Sequence, residues 1–225
     1  MFPQSVYFSD TNEGKEQLKL SQDIVKKASK LTIFARDLNS KRLLIEYYPN
    51  TSIFVTPDTV LSYKPQIRTI ERNIDILVCL RNDKEKNTKL DVEKNVRKVL
   101  KEINLKSVEQ DTNIDFNMNN FSEREEKLFE IWNRFAAAKL IITDRLHGMI
   151  FATITGTPCI VFNNIDGKVY EQYKWIKDLD YVVYLENTDN LKSVMKDLLS
   201  FQNADYPVEK LREEFLDLEN VLKQC

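Results

Sequence analysis

Short apolar runs alternate along this chain with longer segments in which apolar residues recur at helical spacing. The runs of strand length are Ser5 to Phe8, Leu31 to Ala35, Ser52 to Val55, Asp75 to Leu80, Lys139 to Thr143, Cys159 to Phe162 and Tyr181 to Tyr184. The segments predicted to be helical are Gln17 to Lys27, Ser40 to Tyr47, Asp91 to Ile103, Glu123 to Ala137, Arg145 to Ile154, Val169 to Lys177 and Leu191 to Phe201. Strands that alternate with helices are typical of a mainly parallel sheet with helices on its faces. The pattern therefore predicts a doubly wound α/β fold.

A polar stretch near residues 63–73 predicts a domain boundary. We expect a partial N-terminal Rossmann-like domain at residues 1–66, a C-terminal Rossmann-like domain at residues 67–205, and at residues 206–225 a C-terminal helix that packs back on the body. Only three predicted strands precede the boundary, and so small a fragment buries too little apolar surface to be self-sufficient. The N-terminal domain is therefore expected to be incomplete, with an exposed sheet edge that favours self-association.

Two helices carry recognisable start signals. Ser122 followed by Glu125 has the spacing of a capping box at the start of the helix near Glu123. Trp132 lies on the apolar face of that helix, and we predict that it is a core residue rather than a ligand contact. The last predicted helix, Pro207 to Lys223, has proline at the first helical position, where proline is favoured.

Composition narrows the classes of protein to consider. Hydrophobic residues make up 42% and charged residues 30% of the chain, as in an ordinary globular protein. The net charge of -2 provides no basic field to attract nucleic acid or an acidic membrane. The apolar runs fall far short of the roughly 20 residues that span a bilayer, and the first residues lack the pattern of a secretory signal. We therefore expect a cytoplasmic protein with no transmembrane segment and no nucleic-acid partner.

Several familiar cofactor and nucleophile motifs are missing from the sequence. No Gly-x-Gly-x-x-Gly, Walker Gly-Lys-Thr or Gly-x-Ser-x-Gly occurs. Binding of NAD or ATP through these usual motifs, and a serine hydrolase with this type of nucleophile, are therefore not expected. Cys79, Cys159 and Cys225 form no Cys-x-x-Cys pair, which favours reduced thiols. With a single histidine, this pattern argues against zinc and leaves carboxylate-bound magnesium open. We predict neither a metal nor a cofactor.

The only histidine, His147, lies in the segment Thr143-Asp144-Arg145-Leu146-His147-Gly148, between an apolar run and an apolar helical segment. A strand that ends in a polar turn and opens a helix presents backbone N–H groups and the positive end of the helix dipole, which suits an anionic ligand. Thr143 or Asp144 can cap the helix. Arg145 can form a fork of hydrogen bonds to a carboxylate or phosphate, and His147 can exchange a proton near neutral pH.

The structural alternative is that Arg145 pairs with a surface carboxylate and that His147 is a partly buried imidazole. The Arg-x-His spacing at a strand-to-helix junction favours an active centre over this alternative.

Two more arginines follow predicted strands, at the carboxyl ends where ligands bind in open α/β sheets. Arg36 precedes Ser40, which can cap the next helix, and a solvated surface turn of Arg36 and Asp37 is an equal alternative. Arg81 opens the segment Arg81-Asn82-Asp83-Lys84-Glu85, for which a charged loop facing water is the alternative.

A polar group also follows the strand Cys159 to Phe162. Asn163, Asn164 and Lys168 are expected to line the same cleft as His147. Gly156, before that strand, is predicted to be the C′ residue of the preceding helix. Asp58, after Val55-Thr56-Pro57, is a weaker candidate whose alternative is a turn residue.

The segment from Thr143 to Ala152, continuing from Thr155 through Gly156-Thr157-Pro158 to Phe162, resembles the signature of the polysaccharide pyruvyl transferase family. Matches in the same order are Pro3-Gln4-Ser5, Phe34-Ala35-Arg36-Asp37 with Ser40, Pro57-Asp58, and Leu80-Arg81-Asn82-Asp83-Lys84-Glu85. The resemblance extends from the first residues to about Lys177. The Gly-Gly-Gly-Asn-x-Gly-Asp loop that this family usually carries ahead of the Pro-Gln-Ser strand does not occur in this sequence.

The resemblance implies transfer of pyruvate from phosphoenolpyruvate to two hydroxyls of a sugar, which yields a cyclic ketal and phosphate. It also implies a glycosyltransferase-B-like fold of two Rossmann-like domains with the donor in the interdomain cleft. By the same resemblance, Arg145, the Leu146 main chain and His147 would hold the donor, and Arg36 would be a second cation. His147 would act as general acid or base. The acceptor would be a saccharide of an exopolysaccharide or cell-wall polymer, which in lipid-linked form would bring the protein to the inner membrane face.

Two other functions stay open on the sequence. A sugar-nucleotide glycosyltransferase of the same architecture would use the arginines and the helix N-terminus for a diphosphate. A shortened, non-catalytic remnant would bind an anion or a partner without turnover.

Overall fold

A computed structural model describes residues 1–67, 71–83, 87, 91–113, 120–165, 167–201 and 204–224. The chain divides into two compact units: Met1–Ser62 with Glu209–Cys225, and Tyr63–Val208. Each unit contains parallel strands, which confirms the predicted α/β class. That the units are Rossmann-like domains with the predicted bounds, and that the N-terminal one is incomplete, stay predictions.

The first unit contains a pair of parallel strands, β1 (Thr32–Ala35) and β2 (Ser52–Val55), with helices α1 (Asn12–Lys27) and α2 (Leu38–Tyr47). The sequence also predicted a strand over Ser5 to Phe8, and this prediction was wrong.

Only Gln4 forms a bridge to β1, opposite Ala35. Beyond it, the Ser5 hydroxyl donates to Asp37 and the Val6 N–H donates to Ser40 Oγ at 2.9 Å. Because polar side chains of the β1–α2 turn take up these groups, the segment does not continue as a strand.

The second unit is built on a five-stranded parallel sheet with the order β4-β3-β5-β6-β7. Its strands are β3 (Ile74–Cys79), β4 (Ser107–Glu109), β5 (Ala138–Thr143), β6 (Cys159–Phe162) and β7 (Val182–Leu185). The chain passes from β3 outward to β4 and then returns to β5 on the other side of β3, so the direction of winding reverses between β3 and β5. The pattern did not predict β4, because this strand has only three residues and two of them are exposed.

In the described part of the chain, the helices that accompany this sheet are α3 (Val92–Ile103), α4 (Phe121–Ala136), α5 (Leu146–Ile154), α6 (Lys168–Tyr173) and α7 (Leu191–Leu199). The apolar sides of α3 and α7 pack on alternate residues of the central strands, among them Ile76 and Leu140. Burial of one such side chain contributes about 1.5–3 kcal/mol. Every residue of α5 except His147 is buried, so this helix lies within the core and exposes the histidine at its first turn.

Two predicted helix caps were wrong by a few residues. The cap of α4 is Asn120 rather than Ser122, and its side chain exchanges hydrogen bonds with Glu123. The cap of α2 is Asp37, whose Oδ1 accepts from the Ser40 N–H at 2.7 Å, so Ser40 itself is not the cap. In both cases the polar residue nearer the strand or loop takes the capping position.

Two other local predictions were confirmed, and one was corrected. Trp132 is 5% exposed and belongs to the core, as predicted. Gly156 follows the end of α5 with a φ of 62° and is the predicted C′ glycine. The predicted last helix instead begins as a 3₁₀ segment, Val208–Phe215, and becomes α-helical in α8 (Leu216–Leu222).

Cys79 and Cys159 are free and buried, as expected for reduced thiols, and burial raises the pKa of the Cys79 thiol to about 12. Cys225 lies outside the described residues. Across the described part of the chain, none of the helices has the length and apolar character needed to cross a membrane.

Candidate functional site

The carboxyl ends of β3 and β5 meet where the winding of the sheet reverses. Cys79 pairs with Thr143, so the two polar segments that follow leave the sheet side by side. They are tied together by the Arg81 N–H, which donates to Asp144 Oδ1 at 2.7 Å. Open parallel sheets bind their ligands at such a reversal. The structure therefore brings the Arg81 and His147 segments to one edge, at the position where a ligand is expected.

Asp144 is a buried carboxylate whose main contact joins two loops of the fold. Burial raises the pKa of Asp144, while the hydrogen bond from the Arg81 N–H and the charges of Arg81 and Arg145 act in the opposite direction. Because its Oδ1 faces the β3 loop, Asp144 joins two loops instead of capping α5.

The Thr143 hydroxyl is also committed to the strand ends. Its Oγ1 donates to the Cys79 carbonyl at 2.8 Å and accepts from the Arg145 N–H at 3.0 Å. The residue in the N-cap position of α5 is Arg145, without a side-chain capping bond. The prediction that Thr143 or Asp144 caps this helix was therefore wrong.

Gly148 allows α5 to begin directly against the two strands. A Cβ atom added to Gly148 would overlap Thr143 Oγ1 and would lie 3.2 Å from Cys79 Sγ. The first intrahelical hydrogen bond runs from the Met149 N–H to the Arg145 carbonyl at 3.0 Å. The N–H groups of the preceding helical residues have no acceptor within the helix, so the positive end of the α5 dipole lies at this edge of the sheet.

Arg145 is a buried cation with an incomplete set of partners. Its side chain is 7% exposed, and its Nη2 donates to Asp111 Oδ2 at 2.7 Å. Its Nε is buried and has no hydrogen-bond partner among the described residues. The alternative that Arg145 pairs with a surface carboxylate is thus partly correct. The sequence did not indicate Asp111 as that carboxylate, because Asp111 follows the unpredicted strand β4.

His147 lies in the first turn of α5 and is exposed. Its ring centroid is 5.9 Å from that of Phe151, one helical turn further on. The alternative of a partly buried imidazole is therefore wrong. The Leu146 side chain is buried, so Leu146 can contribute only its main chain to a ligand, as the family resemblance implies.

Arg81 also lies at the reversal, but its guanidinium pairs within its own loop. Its Nε and Nη2 donate to the two carboxylate oxygens of Asp83 at 2.8 and 2.9 Å. The alternative of a charged loop facing water fits this side chain only in part, because it is 15% exposed, and a role of Arg81 in ligand binding stays a prediction. Lys84 and Glu85, named with this motif, lie outside the described residues.

The polar group after β6 lies at the same edge as the residues that follow the neighbouring strand β5. Asn163 Oδ1 accepts from the Tyr170 N–H at 3.2 Å, and Lys168 begins α6. Asn164 is 3% exposed, and its Oδ1 has no hydrogen-bond partner within the described ranges. That Asn163, Asn164 and Lys168 contact a ligand stays a prediction.

Arg36 belongs to the first unit, at the carboxyl end of β1. Its Nε donates to Ser5 Oγ at 2.8 Å and its Nη1 donates to Asp58 Oδ2 at 2.9 Å. Asp37 is only 4% exposed, so the alternative of a solvated Arg36-Asp37 turn is wrong. The structure thus brings together Arg36 and Asp58, two candidates that the sequence named separately. A role of Arg36 in donor binding stays a prediction.

The described residues contain no group of three or more His, Cys, Asp or Glu side chains that could hold a metal ion.

Residues 1–167 match the family model described as Polysaccharide pyruvyl transferase. General stress protein 30 of Bacillus subtilis strain 168 is 35% identical over 219 residues, which are 96% of this chain and 63% of that protein. Pyruvyl transferase 1 of Schizosaccharomyces pombe is 29% identical over 221 residues, which are 91% of this chain and 53% of that protein. The chain therefore spans less than two thirds of the length of either relative.

Among solved structures, UDP-GlcNAc 2-epimerase from Methanocaldococcus jannaschii is similar, with a TM-score of 0.53 at 15% identity over 86% of this chain and 61% of that one. A likeness at this identity concerns the fold alone, and it supports the predicted glycosyltransferase-B-like class. The family-model match shows more than the fold. Because it covers residues 1–167 of 225, the chain belongs to the polysaccharide pyruvyl transferase family.

Proposed function

We propose that this protein transfers the pyruvyl group of phosphoenolpyruvate to two hydroxyls of a sugar in a polysaccharide or its precursor. The observation that carries the proposal is the position of Arg145 and His147 at the start of α5, where the winding of the sheet reverses. A buried cation, the positive end of a helix dipole and an exposed imidazole occur there within three consecutive residues. Membership of the pyruvyl transferase family supports the same reaction.

The donor is an anion at two positions, because phosphoenolpyruvate carries a carboxylate and a phosphate. Arg145 can form two parallel hydrogen bonds with either group, and the N–H groups at the start of α5, including that of Leu146, favour the other. Asn163, Asn164, Lys168 and Arg81 are proposed as further hydrogen-bond donors around the substrates. Arg36 is proposed as a second cation for the donor.

The reaction balances with the donor and acceptor alone. The methylene carbon of phosphoenolpyruvate gains a proton and becomes the methyl group of the ketal. The two sugar oxygens bond to the adjacent carbon and lose their protons, and the bond from that carbon to the phosphate oxygen breaks. One proton goes to the methyl group and the other leaves with the phosphate, so the proposal includes no cofactor.

His147 is proposed to transfer one of these protons as general acid or base. An exposed imidazole beside the donor site can exchange protons with solvent between turnovers, and such catalysis typically contributes about 10²–10⁴-fold to a rate. The acceptor is a saccharide, and a lipid-linked precursor would place the protein at the inner membrane face.

Binding of phosphoenolpyruvate tests the proposal most directly. At about 100-fold excess over its dissociation constant, the donor should raise the free energy of unfolding by about 2.7 kcal/mol. UDP-GlcNAc serves as the comparison for a sugar-nucleotide enzyme and should not stabilise the protein. Arg145→Lys keeps the charge but removes the fork, so it should weaken donor binding. Stabilisation by UDP-GlcNAc in place of phosphoenolpyruvate would contradict the proposal.

Turnover separates an enzyme from a binding remnant. Release of inorganic phosphate from phosphoenolpyruvate should require added oligosaccharides from bacterial exopolysaccharide or cell wall. Donor binding without such release would favour the non-catalytic alternative.

A further inference from the structure

Nε and Nη2 of a guanidinium can together donate to one carboxylate, but among the described residues Arg145 has a hydrogen bond from Nη2 and none from Nε. Nη2 donates to Asp111 Oδ2 at 2.7 Å, while Nε is buried without a partner among the residues that the structure describes. Arg81 has the complete arrangement in the same chain, with two bonds to Asp83. Asp111 therefore leaves the Nε–H of Arg145 unused, and a buried donor without an acceptor is unfavourable.

The two members of this pair differ in how firmly the fold holds them. The Arg145 side chain is 7% exposed, whereas that of Asp111 is 48% exposed. Asp111 lies in the loop after β4, where its Oδ1 accepts from the Asn113 N–H at 2.8 Å. By contrast, Asp58, which holds Arg36, is only 8% exposed. The cation of the Arg145 pair is therefore fixed in the core, and its anion lies at the surface.

Asp111 also has space into which its carboxylate can move. It lines a cavity of about 360 Å³ at the carboxyl ends of β3 and β4, together with Leu80, Arg81, Asn82, Glu93, Glu109 and Gln110. This volume lies within the range of small-ligand sites. The two glutamates of the wall both pair with Arg97, and Arg81, Asn82 and Gln110 add polar groups that can solvate a carboxylate. Movement of Asp111 into this cavity would free Nη2 of Arg145.

We propose that Asp111 is a placeholder for the ligand: in the free protein its carboxylate holds Nη2 of Arg145, and an oxyanion of the incoming ligand replaces it with hydrogen bonds from both Nη2 and Nε. In the free protein the placeholder compensates a desolvated cation, which would otherwise be costly to bury. The placeholder lowers the affinity for the ligand, because ligand binding must break the pair between Arg145 and Asp111. This inference rests on the proposed function in taking phosphoenolpyruvate as the ligand.

Asp111→Asn tests the placeholder because it keeps the size of the side chain and removes the competing charge. The apparent dissociation constant of phosphoenolpyruvate, measured by titration calorimetry, should fall about threefold to tenfold. Inorganic phosphate and pyruvate are titrated in parallel, because the probe that gains affinity identifies the oxyanion that replaces Asp111. Asp75→Asn is the matched control: it makes the same change in charge at the opposite end of β3, where Asp75 pairs with Lys139.

The effect should act through Arg145, so Asp111→Asn should change no dissociation constant in an Arg145→Gln background. Asp111→Ala serves as a second variant if Asp111→Asn does not fold, and circular dichroism verifies the fold of each protein.

The possible outcomes separate the two proposals. If wild type binds phosphoenolpyruvate and Asp111→Asn binds it equally or more weakly, the placeholder is overturned and the proposed function stands. If only phosphate or pyruvate binds, and binds more tightly to Asp111→Asn, the placeholder stands and the proposed donor is wrong. If none of the three probes binds either protein, both proposals fail.

Discussion

Gly148 lies against Thr143 with no room for a side chain between them, because an added Cβ would overlap Thr143 Oγ1. Thr143 in turn holds the Cys79 carbonyl and the Arg145 N–H. The glycine therefore sets how closely α5 approaches the ends of β3 and β5, and so where Arg145 and His147 stand.

Replacing this glycine should reverse the usual effect of alanine in a helix. Gly→Ala normally stabilises a helix interior by about 1 kcal/mol. We expect Gly148→Ala to lower the free energy of unfolding by about 1–3 kcal/mol, since overpacking displaces the helix, and to weaken binding of phosphoenolpyruvate. Urea unfolding measures the first effect and calorimetry the second. Ser193→Ala, at an exposed position of α7, is the control and should change neither the free energy of unfolding nor the binding. A stabilised Gly148→Ala would show that the contact between Gly148 and Thr143 has room to relax.

His147→Ala should separate catalysis from folding. Because His147 is exposed, the free energy of unfolding should change by no more than about 0.5 kcal/mol. Phosphate release in the presence of the oligosaccharide acceptor should fall at least about tenfold if the imidazole transfers a proton. Donor affinity, measured on the same samples, shows whether binding is retained. Unchanged turnover would remove His147 from the reaction.

Asp144 should make stability depend on pH in the opposite sense to Asp75. Burial raises the pKa of Asp144, so its contribution to stability is present below its ordinary pKa of 3.8 and is lost as the pH rises through the raised value. The stability of Asp144→Asn relative to wild type should therefore increase as the pH rises from 3.5 to 7.

The hydrogen bond from Lys139 lowers the pKa of Asp75, whose contribution is present above 3.8 and is lost on acidification. Asp75→Asn should lose stability relative to wild type over the same rise in pH. Urea unfolding at several pH values measures both differences, and parallel trends for the two variants would contradict the assignment.

Arg36 and Asp58 should behave as a buried pair. Their side chains are 17% and 8% exposed, and Ser5 supplies another bond to the guanidinium. Removal of one partner leaves a buried charge, so Arg36→Ala should destabilise the protein by about 3–5 kcal/mol. The double variant Arg36→Met with Asp58→Leu should be markedly less destabilised than the sum of the single changes. Additive effects would instead indicate that Arg36 and Asp58 act independently.

The sequence predicted the local structure around the candidate site well because its signals are local. The bounds predicted for β2 and β6 are those of the structure, and the polar segment from Thr143 to Gly148 does join a strand to a helix. A short apolar run bounded by polar or turn residues and the capacity of a glycine for a positive φ act within a few residues, so they can be inferred from neighbours in the chain. The caps of α2 and α4 were misassigned because several polar residues compete for one position, and the path of the preceding chain decides between them.

The sequence by itself determined the alternation of strands and helices, the position of Arg145 and His147 between a strand and a helix, and the family to which the chain belongs. Only the tertiary structure decided the order of the strands, which depends on the short strand β4 and places the reversal between β3 and β5. It also decided the partner of Arg145, because Asp111 is 34 residues away along the chain. The physical reason is that the pairing of a buried charge depends on which loops the sheet brings to one edge, and local periodicity carries no information about that order.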